Sequence, residues 1–305
     1  MKVYVENVNL NSRSGPNHFA KKLSNYIDFF GCDMNYSSPN DADIQLSFIE
    51  SYNSRIRKIP MVQRLDGIYF NAAFDCEKMN SNIKRTYEEA DGVIFQTNFN
   101  KELIFKWFGE HDNYAIIRNG ADNAYISSLD ANSKEYEKYE KVWCCASSWH
   151  PFKRLRDNIE YFLQHSGAND CLVVAGSNTD FKLEHPRIFY VGDLSIEKLI
   201  KLFKASDYFI HLAYLDHCPN VVVDARASGC KIICSSSGGT KEIAGKDAVI
   251  IKEKDWDFSF LESPHPPEID FSNKISNEFD TDLSMIKVAK KYYNFLKGVA
   301  NNEKK

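Results

Sequence analysis

The sequence predicts an α/β protein built on parallel sheets, and three observations point there. Short apolar, β-branched runs alternate with helical patterns along most of the chain. Residues 207–245 give strand, helix, strand and helix joined by tight turns, the order that builds a parallel sheet. The chain has 305 residues, enough for two ordinary domains with sizeable cores, and both halves show the same alternation without an internal repeat.

Taken in order, 1–8 reads as the first strand. A polar loop, 9–17, contains Gly15-Pro16, and an amphipathic helix follows with Phe19, Leu23, Tyr26, Ile27 and Phe30 at helical spacing. The loop is either an ordinary turn or a ligand contact at Gly15. Residues 43–49 and 59–65 are the next strands. The second closes on Arg64-Leu65-Asp66-Gly67, at a strand end where function tends to sit. Asp66 can take a proton or hydrogen bond from an acceptor hydroxyl, with Arg64 beside it; a buried Arg–Asp pair that fixes a turn is the plainer alternative. Residues 68–79 carry Tyr69, Phe70 and Phe74 with little periodicity. A helix over 80–89, a strand over 92–96, a helix over 99–108 and a strand over 114–117 lead to Arg118-Asn119-Gly120-Ala121-Asp122, where Asn-Gly signals a turn.

Residues 127–141 are rich in Lys, Glu and Asp without an apolar stripe, and read as a linker or solvated helix. A buried strand, 142–146, opens the second half. Pro151 then marks a helix start, with Leu155, Ile159 and Phe162 inside the helix. Lys153, Arg154 and Arg156 fall in its first two turns, where the helix dipole disfavours cations. That placement makes sense if an anion docks there; solvated surface cations are the alternative. Strands at 170–176 and 188–192 and a helix at 196–204 follow.

Within 207–245 a strand, 207–214, gives way to a polar elbow, 215–218, and Pro219 begins a helix that stops at Gly229. A strand, 230–234, leads through serines to Gly238-Gly239, and a helix starts at Thr240. Asp216 in the elbow and Asp224 on the helix have seven residues between them. Helical side chains tilt towards the N-terminus, so Asp224 is aimed back at the elbow. An ionised carboxylate only accepts hydrogen bonds, which suits the hydroxyls of a sugar or ribose. A capping Asp with a solvated Asp is the alternative. A last strand, 248–251, a polar loop, 258–267, and a terminal helix, 283–300, complete the chain.

Composition narrows the function. Hydrophobic residues at 43% and charged residues at 26% are those of a soluble globular protein, and a net charge of −4 gives no electrostatic reason to expect nucleic acid. Neither a membrane-spanning run nor a signal peptide is indicated, although a peripheral membrane contact stays open. The eight cysteines show no Cys-x-x-Cys or His/Cys ligand spacing, so reduced thiols in a cytoplasmic compartment are expected, without metal or disulfides.

The run D-H-C-P-N-V-V-V-D-A-R-A-S-G-C-K-I-I-C-S-S-S-G-G-T-K-E resembles the donor-binding signature of the retaining, family-4-type (group 1) glycosyltransferases of the GT-B fold. Asp216 and Asp224 fall on that family's two acids, usually Glu, Gly238 and Gly239 on its glycine pair, and Glu242 on its final acid. I-R-N-G-A-D is similar to the run that ends its first domain. In the family's R-x-x-P-x-K-G-like run, Lys153 matches the lysine, Ser148 stands where the arginine should be, and Arg154 replaces the glycine. Gly15 falls in the first loop, where relatives have two glycines, and Asp66-Gly67 stands near a position often held by His.

The resemblance implies two Rossmann-like domains facing each other across a cleft: an acceptor domain, 1–135 with 283–305, and a donor domain, 136–282. The terminal helix crosses back to the first. The implied reaction moves a hexose from a nucleoside-diphosphate sugar to a hydroxyl of a glycan, lipid or small molecule, with retained configuration and no metal. Lys153, with Arg154 and the backbone N–H groups of Gly239 and Thr240, would hold the diphosphate; Asp224 would bind the ribose, and Asp216 the sugar, helped by the backbone at Asn220 and Val221. An epimerase or phosphorylase on the same fold and a non-catalytic nucleotide-sugar-binding module remain open. The first would form product without acceptor; the second, suggested by Ser148 and the shortened acids, would bind nucleotide without turnover.

Overall fold

The β-strands of the computed structural model fall into two sheets, one in each of two units. The structure describes residues 1–12, 14–52, 59–131, 135–179 and 181–301; positions 132–134 of the expected linker and Arg13 of the first loop lie outside the described residues. The first unit comprises Met1–Gly120, Asp257–Pro264 and Asp282–Lys305, the second Ala121–Trp256 and His265–Thr281.

In the first unit, β1 (Lys2–Glu6), β2 (Asp33–Asn35), β3 (Ile44–Phe48), β4 (Met61–Leu65), β5 (Gly92–Phe95) and β6 (Tyr114–Ile116) form a parallel sheet in the order β2-β1-β3-β4-β5-β6. Strand side chains alternate between faces. Val3, Val5, Ile44, Leu46, Phe48 and Val62 therefore share one buried cluster with Phe19, Leu23 and Ile27 of α1 (Gly15–Ile27). α2 (Cys76–Glu89) starts four residues before the expected position, because Asp75 caps it by accepting from the Lys78 N–H. α3 (Asn98–Phe108) is capped by Thr97 in the same way.

The second unit holds α4 (Asn123–Ser128), β7 (Val142–Ser148), α5 (Leu155–His165), β8 (Cys171–Ser177), β9 (Ile188–Gly192), α6 (Ile196–Lys204), β10 (Tyr208–His211), α7 (Asn220–Ala227), β11 (Lys231–Ser235), α8 (Lys241–Ala244), β12 (Val249–Ile251) and β13 (Lys274–Ile275). Its sheet runs β13-β12-β11-β10-β7-β8-β9, parallel except for the β12–β13 pair. The strand order reverses direction between β7 and β10. Chains leaving the carboxyl ends of these two strands turn to opposite sides there, which opens a crevice.

α9 (Met285–Ala300) returns to the first unit, as the resemblance implied, and packs on α1. It buries Met285, Val288, Ala289, Tyr292, Phe295, Leu296 and Val299. At about 1.5–3 kcal/mol per large apolar side chain, their loss would rival the whole stability of a typical domain, about 5–15 kcal/mol.

Two expectations need correction. The helix expected from Pro151 is broken: Pro151–Lys153 forms one 3-10 turn, Arg154 adopts a left-handed backbone (φ 54°), and α5 begins at Leu155. Lys153 is therefore outside α5 and does not sit in the positive first turn of that helix. Only Arg156 lies in the first turn, with its guanidinium over the Phe181 ring. The helix expected from Thr240 is a single turn. Among the described residues no helix is long and apolar enough to cross a membrane.

Candidate active site

Lys153 follows β7 and Asp216 follows β10, the two strands flanking the reversal of strand order in the second unit. Their side chains meet there: Lys153 Nζ donates to Asp216 Oδ2. His211, at the end of β10, places Nε2 2.9 Å from the same oxygen, and the His217 N–H donates to Asp216 Oδ1 at 3.0 Å. The Asp216 side chain is 14% exposed and the Lys153 side chain 23%, so neither is sealed off from a ligand. Burial by itself would raise the Asp216 pKa, but Lys153 and His211 outweigh it and hold the carboxyl well below the usual range. Burial also lowers the His211 pKa against the opposing pull of Asp216, so the imidazole is neutral and its Nε2–H is the donor. Sequence reasoning passed over His211; its one signal was a polar residue inside the apolar run 207–214.

The glycine turn is joined to this elbow through the main chain. The Gly239 N–H donates to the Asp216 carbonyl at 2.7 Å. Gly238 has φ +75°, and a Cβ built on it would lie 2.5 Å from that same carbonyl oxygen. Both facts require glycine there. The Gly239 amide, expected on a phosphate, is thus taken up inside the protein. Thr240 is fully buried, and its Oγ1 has no hydrogen-bond partner among the described residues. Glu242, in α8, and Asp224, in the second turn of α7, are both buried. Asn220 and Val221 form the first turn of α7, which Pro219 caps without a side-chain bond; the N–H groups of Val222 and Val223 turn back to the Pro219 carbonyl.

Arg154 does not join Lys153. Its guanidinium grips both oxygens of Glu253 at 2.8 Å, donates to the Pro267 carbonyl at 2.7 Å and lies over the Tyr214 ring. It is fully buried as a side chain, so its charge answers Glu253 and its expected role as a second diphosphate cation does not fit its place. Ser148, at the exposed end of β7, accepts from Asn178 Nδ2 at 3.1 Å and brings no charge. Glu253 carried no local sequence signal; only the fold brings it to Arg154.

In the first unit, Arg64 is buried beneath the sheet end, its guanidinium over Phe19 and Phe48, with Nε bonded to Tyr292 Oη at 3.0 Å. Its other nitrogens complete a ring: Arg64 to Asp66 Oδ1, Gln96 Nε2 to that same oxygen, Asn119 Nδ2 to Gln96 Oε1, and Arg64 Nη2 to Asn119 Oδ1 at 2.8 Å. Arg64 is thus a core residue with no surface for an acceptor. Asp66 keeps one oxygen, Oδ2, without a hydrogen-bond partner among the described residues. Burial raises the Asp66 pKa against the opposing pull of Arg64 and Gln96. Gly15 is exposed at the first position of α1. Among the described residues no cluster of three or more His, Cys, Asp or Glu could hold a metal ion.

The fold is of the GT-B type. Residues 153–258 match the family described as "Glycosyl transferases group 1". A curated relative, an uncharacterized glycosyltransferase of Methanocaldococcus jannaschii, is 24% identical over 186 residues, which are 56% of this chain and 47% of that protein. The chain spans about half the length of that relative. Sucrose-phosphate synthase from Thermosynechococcus elongatus superposes with a TM-score of 0.62 at 11% identity, covering 99% of this chain and 96% of that one. Anabaena HepE in complex with UDP-glucose gives 0.58 at 15% identity, covering 100% and 93%. At these identities the two structures speak for the fold.

Proposed function

We propose that the chain is a retaining glycosyltransferase that moves a hexose from a nucleoside-diphosphate sugar to a hydroxyl acceptor. The observation that carries this reading is the meeting of Lys153, Asp216 and His211 at the strand-order reversal, with the glycine turn clasped to the Asp216 main chain. Ligands of open parallel sheets bind at such a reversal. A lysine whose one anionic partner is itself a sugar-binding carboxylate can transfer its charge to an incoming diphosphate.

In the reaction, the bond from the anomeric carbon to phosphate oxygen breaks while the bond to the acceptor oxygen forms on the same face. The acceptor proton passes to the departing phosphate, so no protein nucleophile is needed. Lys153 stabilises the charge that grows on the diphosphate. Asp216, kept ionised, holds the sugar hydroxyls; His211 keeps that carboxylate oriented. Asp224 is the proposed ribose ligand, assisted by the backbone at Asn220 and Val221; Glu242 and Thr240 complete the donor side. Asp66 Oδ2 is the proposed acceptor contact in the first unit.

Because a structural neighbour was solved with UDP-glucose, UDP and its sugars are the first ligands to test. A thermal-shift screen against UDP, GDP, ADP and their sugars should show selective stabilisation by one base, on the order of 2–3 kcal/mol at 100 times Kd. NMR of the product should then show the donor's anomeric configuration. No response to any nucleotide would remove the proposal.

One observation favours a second reading. With Arg154 held by Glu253 and Ser148 uncharged, Lys153 is the one cation retained of the expected set, which suits a module that binds nucleotide-sugar without turning it over. Binding without product from any acceptor would select it.

A further inference from the structure

We infer that Glu253 and Arg154 are positioning residues that hold Lys153 and Asp216 in register; the inference rests on the donor-site reading above. The geometry is a single buried hub. The Glu253 carboxylate receives both guanidinium nitrogens of Arg154, the Ser235 hydroxyl and, at 3.2 Å, the Ser237 hydroxyl, while its own N–H donates to Ser236 Oγ at 2.8 Å. Ser237 Oγ in turn accepts the Leu215 N–H at 3.3 Å, and Arg154 donates to the Leu212 carbonyl at 3.3 Å. The hub therefore grips the residue immediately after Lys153 and the residue immediately before Asp216.

Backbone conformation makes the grip consequential. Arg154 (φ 54°) and Leu215 (φ 56°) are both non-glycine residues in the left-handed region. Such residues persist only where their surroundings over-determine them. The over-determining contacts here converge on Glu253, which approaches from the end of β12. Ser235, Ser236 and Ser237 carry the same hold into the turn that precedes Gly238. One carboxylate thus links the three segments that supply Lys153, Asp216 and the glycine pair.

The test uses Arg154→Met, Glu253→Gln and the double variant in the full chain. Each single variant leaves a buried partner uncompensated and should lower Tm; the double variant removes both charges and should recover most of it. A merely structural pair would then restore everything. A positioning pair would not: in the double variant, with Lys153 and Asp216 out of register, affinity for UDP and kcat should each fall about tenfold or more. Hydrogen exchange read by mass spectrometry decides the inference without any ligand. Segments containing the Leu215 and Gly239 amides should exchange about tenfold faster in the double variant, with the β7–β8 core unchanged. Wild-type protection there, at recovered Tm, overturns the inference whatever the donor assays read. Failure of the wild-type protein to bind any nucleoside diphosphate overturns the donor-site reading instead.

Discussion

The Gly239 amide and the Asp216 carbonyl oxygen are 2.7 Å apart, so the acidic elbow and the glycine turn are one mechanical piece. A ligand group that contacts the turn also senses the placement of the carboxylate. The consequences can be measured at the residues on either side.

Gly238→Ala should damage that piece directly. The new Cβ would sit 2.5 Å from the Asp216 oxygen on a backbone at φ +75°. Strain and displacement together should cost about 2–4 kcal/mol, read by urea unfolding, with nucleotide response lost in the surviving fold. Wild-type stability in this variant would mean that the turn is not held as described.

Lys153→Ala should leave Asp216 with His211 and its backbone contact alone. Removing a preorganised donor to developing charge lowers kcat by about 100-fold or more, and the nucleotide-induced rise in Tm should largely vanish. An unchanged rise would take Lys153 out of the diphosphate role.

Arg64→Met should destabilise the first unit by about 3–5 kcal/mol, because Asp66 would be left as an unpaired buried charge. Arg64→Met with Asp66→Asn should recover part of that loss. Denaturation midpoints decide it; equal loss in single and double variants would show that Tyr292, Phe19 and Phe48, and not the ion pair, hold Arg64 in place.

Acid should weaken the second unit in a defined window. Burial pushes His211 below the ordinary imidazole value of 6.5 and His217 to about 4, while Asp216 pulls the other way in both cases. A histidine kept neutral in the folded state binds fewer protons there than in the unfolded chain. Its stabilising contribution is complete above pH 6.5 and is lost as pH falls towards the folded value. Tm should therefore decline between about pH 6.5 and 4, and His217→Asn should flatten the decline. A Tm independent of pH across that window would contradict the burial of His211 and the partial burial of His217.

Much of this was readable in the sequence, and the reasons are physical. β3 and β4, α1 and α9 announce themselves because a buried face imposes its period on the residues. β2 and β13 do not: Asp33–Asn35 and Lys274–Ile275 are short edge strands with too little burial to leave an apolar pattern. At the site, Asp216, Gly238 and Gly239 were legible because their spacing is local. The break at Arg154 was not, since the carboxylate that holds it lies 99 residues further on. Arg64 and Asp66 were legible as a pair, whereas Gln96 and Asn119, which close their ring, come from different strand ends.

Tyr292 reaches Arg64 from α9, so the centre of the first unit waits on residues made after every strand of both sheets. A ribosome can release residues 1–120 long before that helix exists, leaving an arginine and the apolar surface around it without their cover. The second unit, by contrast, has all its strands before α9 is synthesised. Domains usually mature in the order in which they are made; here the later-made unit can be finished first.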